Sequence, residues 1–242
     1  MINGCRYVLP CGMWLWHVIG VIVDYNSFNI SKNLHLYFED TYYSMSLIDG
    51  NGPMVLEYLN ALYKVIDSAL NDYSRVFAFR VDLRLPEDHG YCYCGKGGAE
   101  VSRFVESFKA KVRHNREVAM KSGGLVHETQ VRYFWVREVG DQGRVHFHLV
   151  VLLNGHAYNW LGNYQSAGGN MANRIWEAWA SALGISVDEA RTLVHFPVNP
   201  SYMLRRDDPE SVAAFFQRAS YLCKARTKHY GEGHHGYGAS RT

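Results

Sequence analysis

The chain has 242 residues, 48% of them hydrophobic and 20% charged, enough to bury a sizeable core as one domain and too apolar for general disorder. Its net charge is only +2 with histidine neutral, so any nucleic-acid footprint must be local rather than a property of the whole surface. The five cysteines, Cys5, Cys11, Cys92, Cys94 and Cys223, contain no Cys-x-x-Cys pair, which excludes a zinc ribbon or redox pair of that spacing and points to a reducing, cytoplasmic compartment.

Residues 1–30 read as an N-terminal extension. Their most apolar stretch, residues 13–23, is interrupted by His17 and Gly20 and is about half as long as a bilayer span. No small-residue cleavage pattern follows it, so it reads as an extra hydrophobic strand or the product of an upstream start codon, not as an anchor or signal. No period of 20 to 50 residues and no low-complexity segment suggests a repeat array.

Residues 53–70 place Val55, Leu56, Leu59, Leu62, Tyr63, Ile66 and Leu70 on one helical face. Residues 75–85 then alternate: Phe77, Phe79, Val81 and Leu83 share one side of a strand, and Arg80, Asp82 and Arg84 the other. A turn-rich stretch, 86–98, carries His89, Cys92 and Cys94, an incomplete zinc set. The helical pattern returns over 99–122. Here Lys109, Lys111, Arg113, His114, Arg116 and Lys121 form a basic run that can follow a phosphate backbone or simply be a solvated face.

Residues 131–139 and 144–153 flank Gly140-Asp141-Gln142-Gly143 and read as a β-hairpin whose second strand, apolar on both faces, belongs in the middle of a sheet. Residues 169–183 are helical, and 192–198 a strand. Asp208-Pro209-Glu210 has the cap, first-turn proline and first-turn acid that open a helix, expected to run to about Lys228. The glycine-rich end, 231–242, reads as a flexible loop or tail, and His229, His234 and His235 as its surface histidines.

Two constellations carry chemistry. His146-Phe147-His148 puts two imidazoles on one strand face, and a hairpin turn centred near Gln142 sets Glu138 across from His146. Two histidines and a carboxylate can hold Mg²⁺, Mn²⁺ or Zn²⁺; alternatively Glu138 pairs with Arg144 or Arg137, and the histidines are hydrogen-bonded at a sheet end. In the other, Tyr221 and Lys224 lie three apart on the last helix, and Lys228 continues their face. A phenol flanked by cations can attack a phosphodiester, although such a pair is ordinarily a packed ring with a solvated amine.

Taken together, a His-hydrophobic-His strand followed by a helix bearing Tyr-x-x-Lys resembles the HUH endonuclease superfamily of rolling-circle initiators, relaxases and transposases. More narrowly, Arg80-Val81-Asp82-Leu83-Arg84, Val145-His146-Phe147-His148, Ala219-Ser220-Tyr221-Leu222-Cys223-Lys224 and Tyr237-Gly238-Ala239-Ser240-Arg241, in that order, are similar to the replication proteins of filamentous phages (inoviruses), a group that includes the YagK/YfjJ C-terminal domain. The resemblance covers residues 31–242. It implies an α+β fold: one nuclease domain with a central antiparallel sheet carrying the His-x-His strand, the strand at 75–85 beside it and helices on the other face. It also implies His146 and His148 as metal ligands for Mg²⁺ or Mn²⁺, Tyr221 as nucleophile and Lys224 as the cation steadying phosphate or tyrosinate.

Glu138 is the third ligand that hairpin register favours, with Asp82 its competitor, and Arg80, Asp82, Arg84 and Lys228 are candidate DNA contacts. The expected activity is metal-dependent nicking and rejoining of single-stranded or hairpin origin DNA through a 5′-phosphotyrosine, at the start of rolling-circle replication. Host helicase and polymerase are the expected partners, and neither a membrane nor a small-molecule substrate is expected. The rival readings are a DNA-binding regulator of the same fold without cleavage, and a metal-dependent phosphodiesterase in which water attacks.

Overall fold

In the computed structural model the described residues are 33–86, 98–123, 125–140, 143–166, 168–226, 228 and 235–241, together with four two-residue strands near the N-terminus. Those four, β1 (Tyr7–Val8), β2 (Trp14–Leu15), β3 (His17–Val18) and β4 (Val21–Ile22), pair as β1 with β2 and β3 with β4, separately from the main sheet. The short strands β5 (Leu36–Tyr37), β6 (Thr41–Tyr42), β7 (Met45–Ser46) and β8 (Met54–Val55) lead into helix α1 (Leu56–Asp72). Strand β9 (Arg75–Arg84), helix α2 (Ala99–Lys121), the hairpin β10 (Arg132–Val139) and β11 (Val145–Asn154), and helix α3 (Met171–Leu183) follow. The chain closes with α4 (Val187–Leu193), β12 (Val194–His195), β13 (Ser201–Arg205), α5 (Pro209–Ser220), a 3₁₀ turn over Tyr221–Cys223, and β14 (Tyr237–Ala239).

The main sheet runs β12-β9-β11-β10-β14, with β13 on the same edge of β9 as β12, and every pairing in it is antiparallel. Strands β9 and β11 are central and covered on both faces, as the unbroken apolar run of β11 requires. The alternating residues separate two apolar layers. Phe77, Phe79, Val81 and Leu83 of β9, with Phe147, Leu149, Val151 and Leu153 of β11, pack against Phe104 and Phe108 of α2 and Trp179 of α3. Val76, Ala78, Val150, Leu152, Phe134 and Val136 face the other way, onto Leu59, Leu62 and Ile66 of α1 and Phe215 and Phe216 of α5. Helices therefore cover both faces, whereas the resemblance had implied helices on the face opposite the histidines.

Other differences have local causes. Helix α1 begins after Val55 because Met54 and Val55 are taken into pairing with β5. The segment expected as a strand over 192–198 ends a helix whose Ser186–Glu189 capping box, a start signal in the sequence, fixes α4. Only Val194 and His195 of it pair with β9, and β13 continues along the same edge after a loop in which Pro200 accepts the Arg80 backbone N–H at 2.7 Å. Asp208 caps α5 as anticipated, accepting from Ser211 N with Pro209 in the first turn. The helix stops at Ser220, however, and tightens into the 3₁₀ turn, after which Lys224 bridges to Met54. Within the expected tail, Tyr237–Ala239 is an edge strand on β10. Among the described residues no helix is long and apolar enough to cross a membrane.

Candidate active site

On the α1/α5 side the sheet changes character within one register step. Toward one end β9 presents Val76 and Ala78, β11 Leu152 and Val150, and β10 Phe134 and Val136, all under the helices. Toward the other end the same alternation presents Arg80, Asp82 and Arg84, then His148 and His146, then Glu138. The polar end lies where α5 gives way to the 3₁₀ turn, so Tyr221 is delivered above it: its ring centroid is 6.3 Å from that of His148.

Glu138 stands directly opposite His146 in the hairpin register, as the sequence suggested. Its Oε2 is 3.3 Å from His148 Nε2 and 3.8 Å from His146 Nε2, and one donor atom from each of the three residues falls within 4.8 Å of the others. Two imidazole nitrogens and a carboxylate oxygen that converge from adjacent strands, largely buried, fit a divalent ion with open positions for substrate. Asp82 has a different place. Its Oδ1 is 2.6 Å from His148 Nδ1, so it takes the nitrogen that points away from Glu138, fixing the ring with Nε2 toward the triad. Asp82 is thus the orienting carboxylate, and Glu138 the ligand candidate.

The cations are arranged around these two acids. Lys228 Nζ donates to Glu138 Oε1 at 2.5 Å, and Lys224 Nζ lies 3.7 Å from Oε2. Arg80 reaches Asp82 with Nε at 3.1 Å. Lys224 also sits over the Tyr221 ring, 3.6 Å from its centroid, and the Arg80 guanidinium is 5.0 Å from the same centroid, so the phenol is bracketed by two positive charges. Burial raises the Glu138 carboxyl, but hydrogen bonds from His146 and His148 and the Lys228 charge overcome that and hold it far below the usual carboxylate range. In Asp82 burial also pushes up, and His148 and Arg80 bring the carboxyl down to about 2. Burial lowers the Lys228 ammonium, against the pull of Glu138. Three buried cations, Arg80, Lys224 and Lys228, thus face two buried carboxylates, a local positive surplus that favours an anionic ligand.

The structure gathers His146, His148, Glu138, Tyr221 and Lys224 into one cluster. Arg80, Asp82 and Lys228, read from sequence as DNA contacts, are buried in this cluster, Arg80 against Asp82 and the Tyr221 ring and Lys228 against Glu138; Arg84 is exposed at the end of β9. Lys228 arrives there not along a helix face but from the segment after the 3₁₀ turn. The basic run of α2 lies on the opposite face of the sheet, where Lys109 pairs with Glu106, Lys111 with Glu177, and Arg116 stacks on Tyr158. His89, Cys92, Cys94, His229 and His234 lie outside the described residues.

One site residue escaped the sequence reading. His195 of β12 pairs in register with Asp82, and its Nδ1 lies 3.5 Å from Asp82 Oδ2. The only signal in the sequence is a histidine beside an apolar run, which topology alone brings to the polar end of β9.

The sequence comparisons agree with one another. A family model described as the YagK/YfjJ C-terminal domain matches residues 38–240. Two Escherichia coli K12 relatives are the uncharacterized proteins YfjJ, 33% identical over 200 residues (78% of this chain and 96% of the relative), and YagK, 32% identical over 199 residues (79% and 95%). No solved structure matches the chain.

Proposed function

We propose that this chain, which belongs to the YagK/YfjJ C-terminal domain family, is a divalent-metal-dependent single-strand DNA nickase and strand transferase of the HUH type, acting with Mg²⁺ or Mn²⁺ as a rolling-circle replication initiator. The observation that carries the reading is Tyr221 standing over His148, bracketed by Arg80 and Lys224, beside the Glu138, His146 and His148 triad. A phenol held by cations next to a metal-competent cluster with surplus positive charge suits attack on a phosphodiester.

In this mechanism Lys224 and Arg80 stabilise the Tyr221 phenolate and attract the phosphate. A divalent ion held by Glu138, His146 and His148 would withdraw charge from the non-bridging phosphate oxygens. Attack of Tyr221 Oη on phosphorus leaves the 5′ side of the cut as a phosphotyrosine and releases a 3′ hydroxyl for a polymerase. The reverse attack by a 3′ hydroxyl rejoins strands. Single-stranded or extruded hairpin DNA is the substrate class, because the scissile phosphate must reach a half-buried phenol and the triad together.

The test is incubation with Mn²⁺ and labelled hairpin oligonucleotides, including DNA flanking the gene, on a denaturing gel. A metal-dependent covalent band absent from Tyr221→Phe supports the nickase. Cleavage without an adduct in both proteins supports a phosphodiesterase using water, and binding without cutting a DNA-binding regulator.

A further inference from the structure

The nickase chemistry leaves a proton unassigned. When the bond from phosphorus to O3′ breaks, the electron pair goes to an alkoxide that needs a proton, and the groups around Tyr221 are poor sources of one. Asp82 and Glu138 are held ionised by their partners. His146 and His148 commit a nitrogen each to the triad, and Lys224 and Lys228 are buried against Glu138. The Arg80 guanidinium does not give up a proton.

His195 differs from all of these. Its side chain is 52% exposed, against 11% for its partner Asp82 and 10% for His148. Asp82 divides its two oxygens between two imidazoles, Oδ1 to His148 at 2.6 Å and Oδ2 to His195 at 3.5 Å. The three residues stand in one cross-strand row, His195 on β12, Asp82 on β9 and His148 on β11. With Nδ1 turned to Asp82, His195 keeps Nε2 free for substrate. Tyr221 packs at the His148 end of this row, and His195 lies about 10 Å farther along, two strand spacings away. In-line displacement sets nucleophile and leaving group on opposite sides of phosphorus, so a phosphate seated over Asp82, between Tyr221 and His195, would turn its leaving oxygen toward His195.

We propose that His195 is the general acid that protonates the leaving O3′, an assignment that rests on the nickase reading. As Tyr221 Oη bonds to phosphorus and the bond to O3′ breaks, the imidazolium gives its Nε2 proton to O3′ and becomes neutral, while the phenol's proton passes to solvent. In the rejoining direction neutral His195 takes the proton from the attacking 3′ hydroxyl. The Asp82 carboxylate, with Oδ2 3.5 Å from His195 Nδ1, supplies the charge that attracts the imidazolium to this position.

The experiment compares two oligonucleotides that differ only at the scissile linkage, one with the natural 3′ oxygen and one with a 3′ bridging sulfur, whose thiolate leaves without a proton. Adduct formation is timed in Mn²⁺ for the wild type, His195→Ala and His195→Gln. The expected result is a loss of about 10²- to 10⁴-fold for both variants on the oxygen substrate and rates near wild type on the sulfur substrate. Equal losses on both substrates overturn the general-acid role and leave the nickase standing, and undiminished rates on oxygen overturn it too. Absence of an adduct with the wild type on either substrate overturns both readings together.

Discussion

Lys228 and Glu138, ninety residues apart in sequence, form a 2.5 Å ion pair in which the lysine side chain is only 1% exposed. An ammonium this deep is retained only against a fixed counter-charge, and Glu138 is that charge. Replacing one partner leaves the other buried and short of compensation. Lys228→Met is therefore expected to cost about 3 kcal/mol in metal-free protein, the lower end for a broken buried pair, because Lys224 and two imidazoles still face Glu138. Urea unfolding measures this. Mn²⁺ should restore part of the loss by supplying positive charge at Glu138; a variant as stable as wild type without metal would show that the pair breaks even.

Metal binding and its support can be separated. Saturating Mn²⁺ is expected to raise the unfolding free energy by about 2.7 kcal/mol at one hundred times Kd, and His146→Ala or His148→Ala should abolish that gain. Asp82→Asn keeps all three ligands but loses the carboxylate that fixes His148 by its Nδ1. Its Mn²⁺ affinity should fall about 10- to 100-fold in calorimetry, the range for a lost orienting partner. An unchanged affinity would make Asp82 irrelevant to the ion, and a complete loss would make it a ligand.

Acid should act on the same acids. The Asp82 carboxyl is lowered in the folded state from its ordinary 3.8 to about 2, so its contribution is complete above pH 4 and disappears as pH falls toward 2. The drop corresponds to about 2 kcal/mol. Glu138, also lowered, adds to the loss as pH falls below its ordinary 4.5. Unfolding free energies measured between pH 5.5 and 2.5 should decline steeply in wild type and less steeply in Asp82→Asn; identical slopes would mean that Asp82 is not held ionised by His148 and Arg80.

Those contacts mark where the sequence was readable and where it was not. Alternation along residues 75–85 showed that Arg80, Asp82 and Arg84 share a face, and hairpin register put Glu138 opposite His146, because both follow from the period of two within one strand or one tight turn. It did not show that Arg80 and Asp82 would be buried. That depends on α5 ending over them, a long-range event. The helix itself was legible from its Asp208 and Pro209 start, but no glycine or proline marks its stop at Ser220, so Lys228 was assigned to the wrong geometry. His195 was hidden for a similar reason: a two-residue strand has no periodicity of its own, and its partner on β9 is more than a hundred residues away.

The C-terminal strand shows the same limit and gives a last prediction. The run from Tyr237 to Ser240 looks like a polar, glycine-bearing tail, yet Trp135 pairs with Gly238 across the β10 edge, and Tyr237 packs 4.5 Å from Tyr58, whose ring faces Lys228. A Cβ at Gly238 would come within 2.7 Å of the Trp135 indole, a rigid ring flanked by the sheet, so the position demands glycine for close approach rather than for an unusual backbone angle. Gly238→Ala must therefore displace either the indole or the strand, at a cost of about 1 to 3 kcal/mol. Because β14 borders the edge that ends in Glu138, displacement of the strand should also loosen the Mn²⁺ site, whereas a shift of the indole alone, on the opposite face, should not. Melting temperature and Mn²⁺ affinity measured together decide which gives way. A variant unchanged in both would mean that the edge accommodates the methyl group freely, and that β14 is not clamped by Trp135.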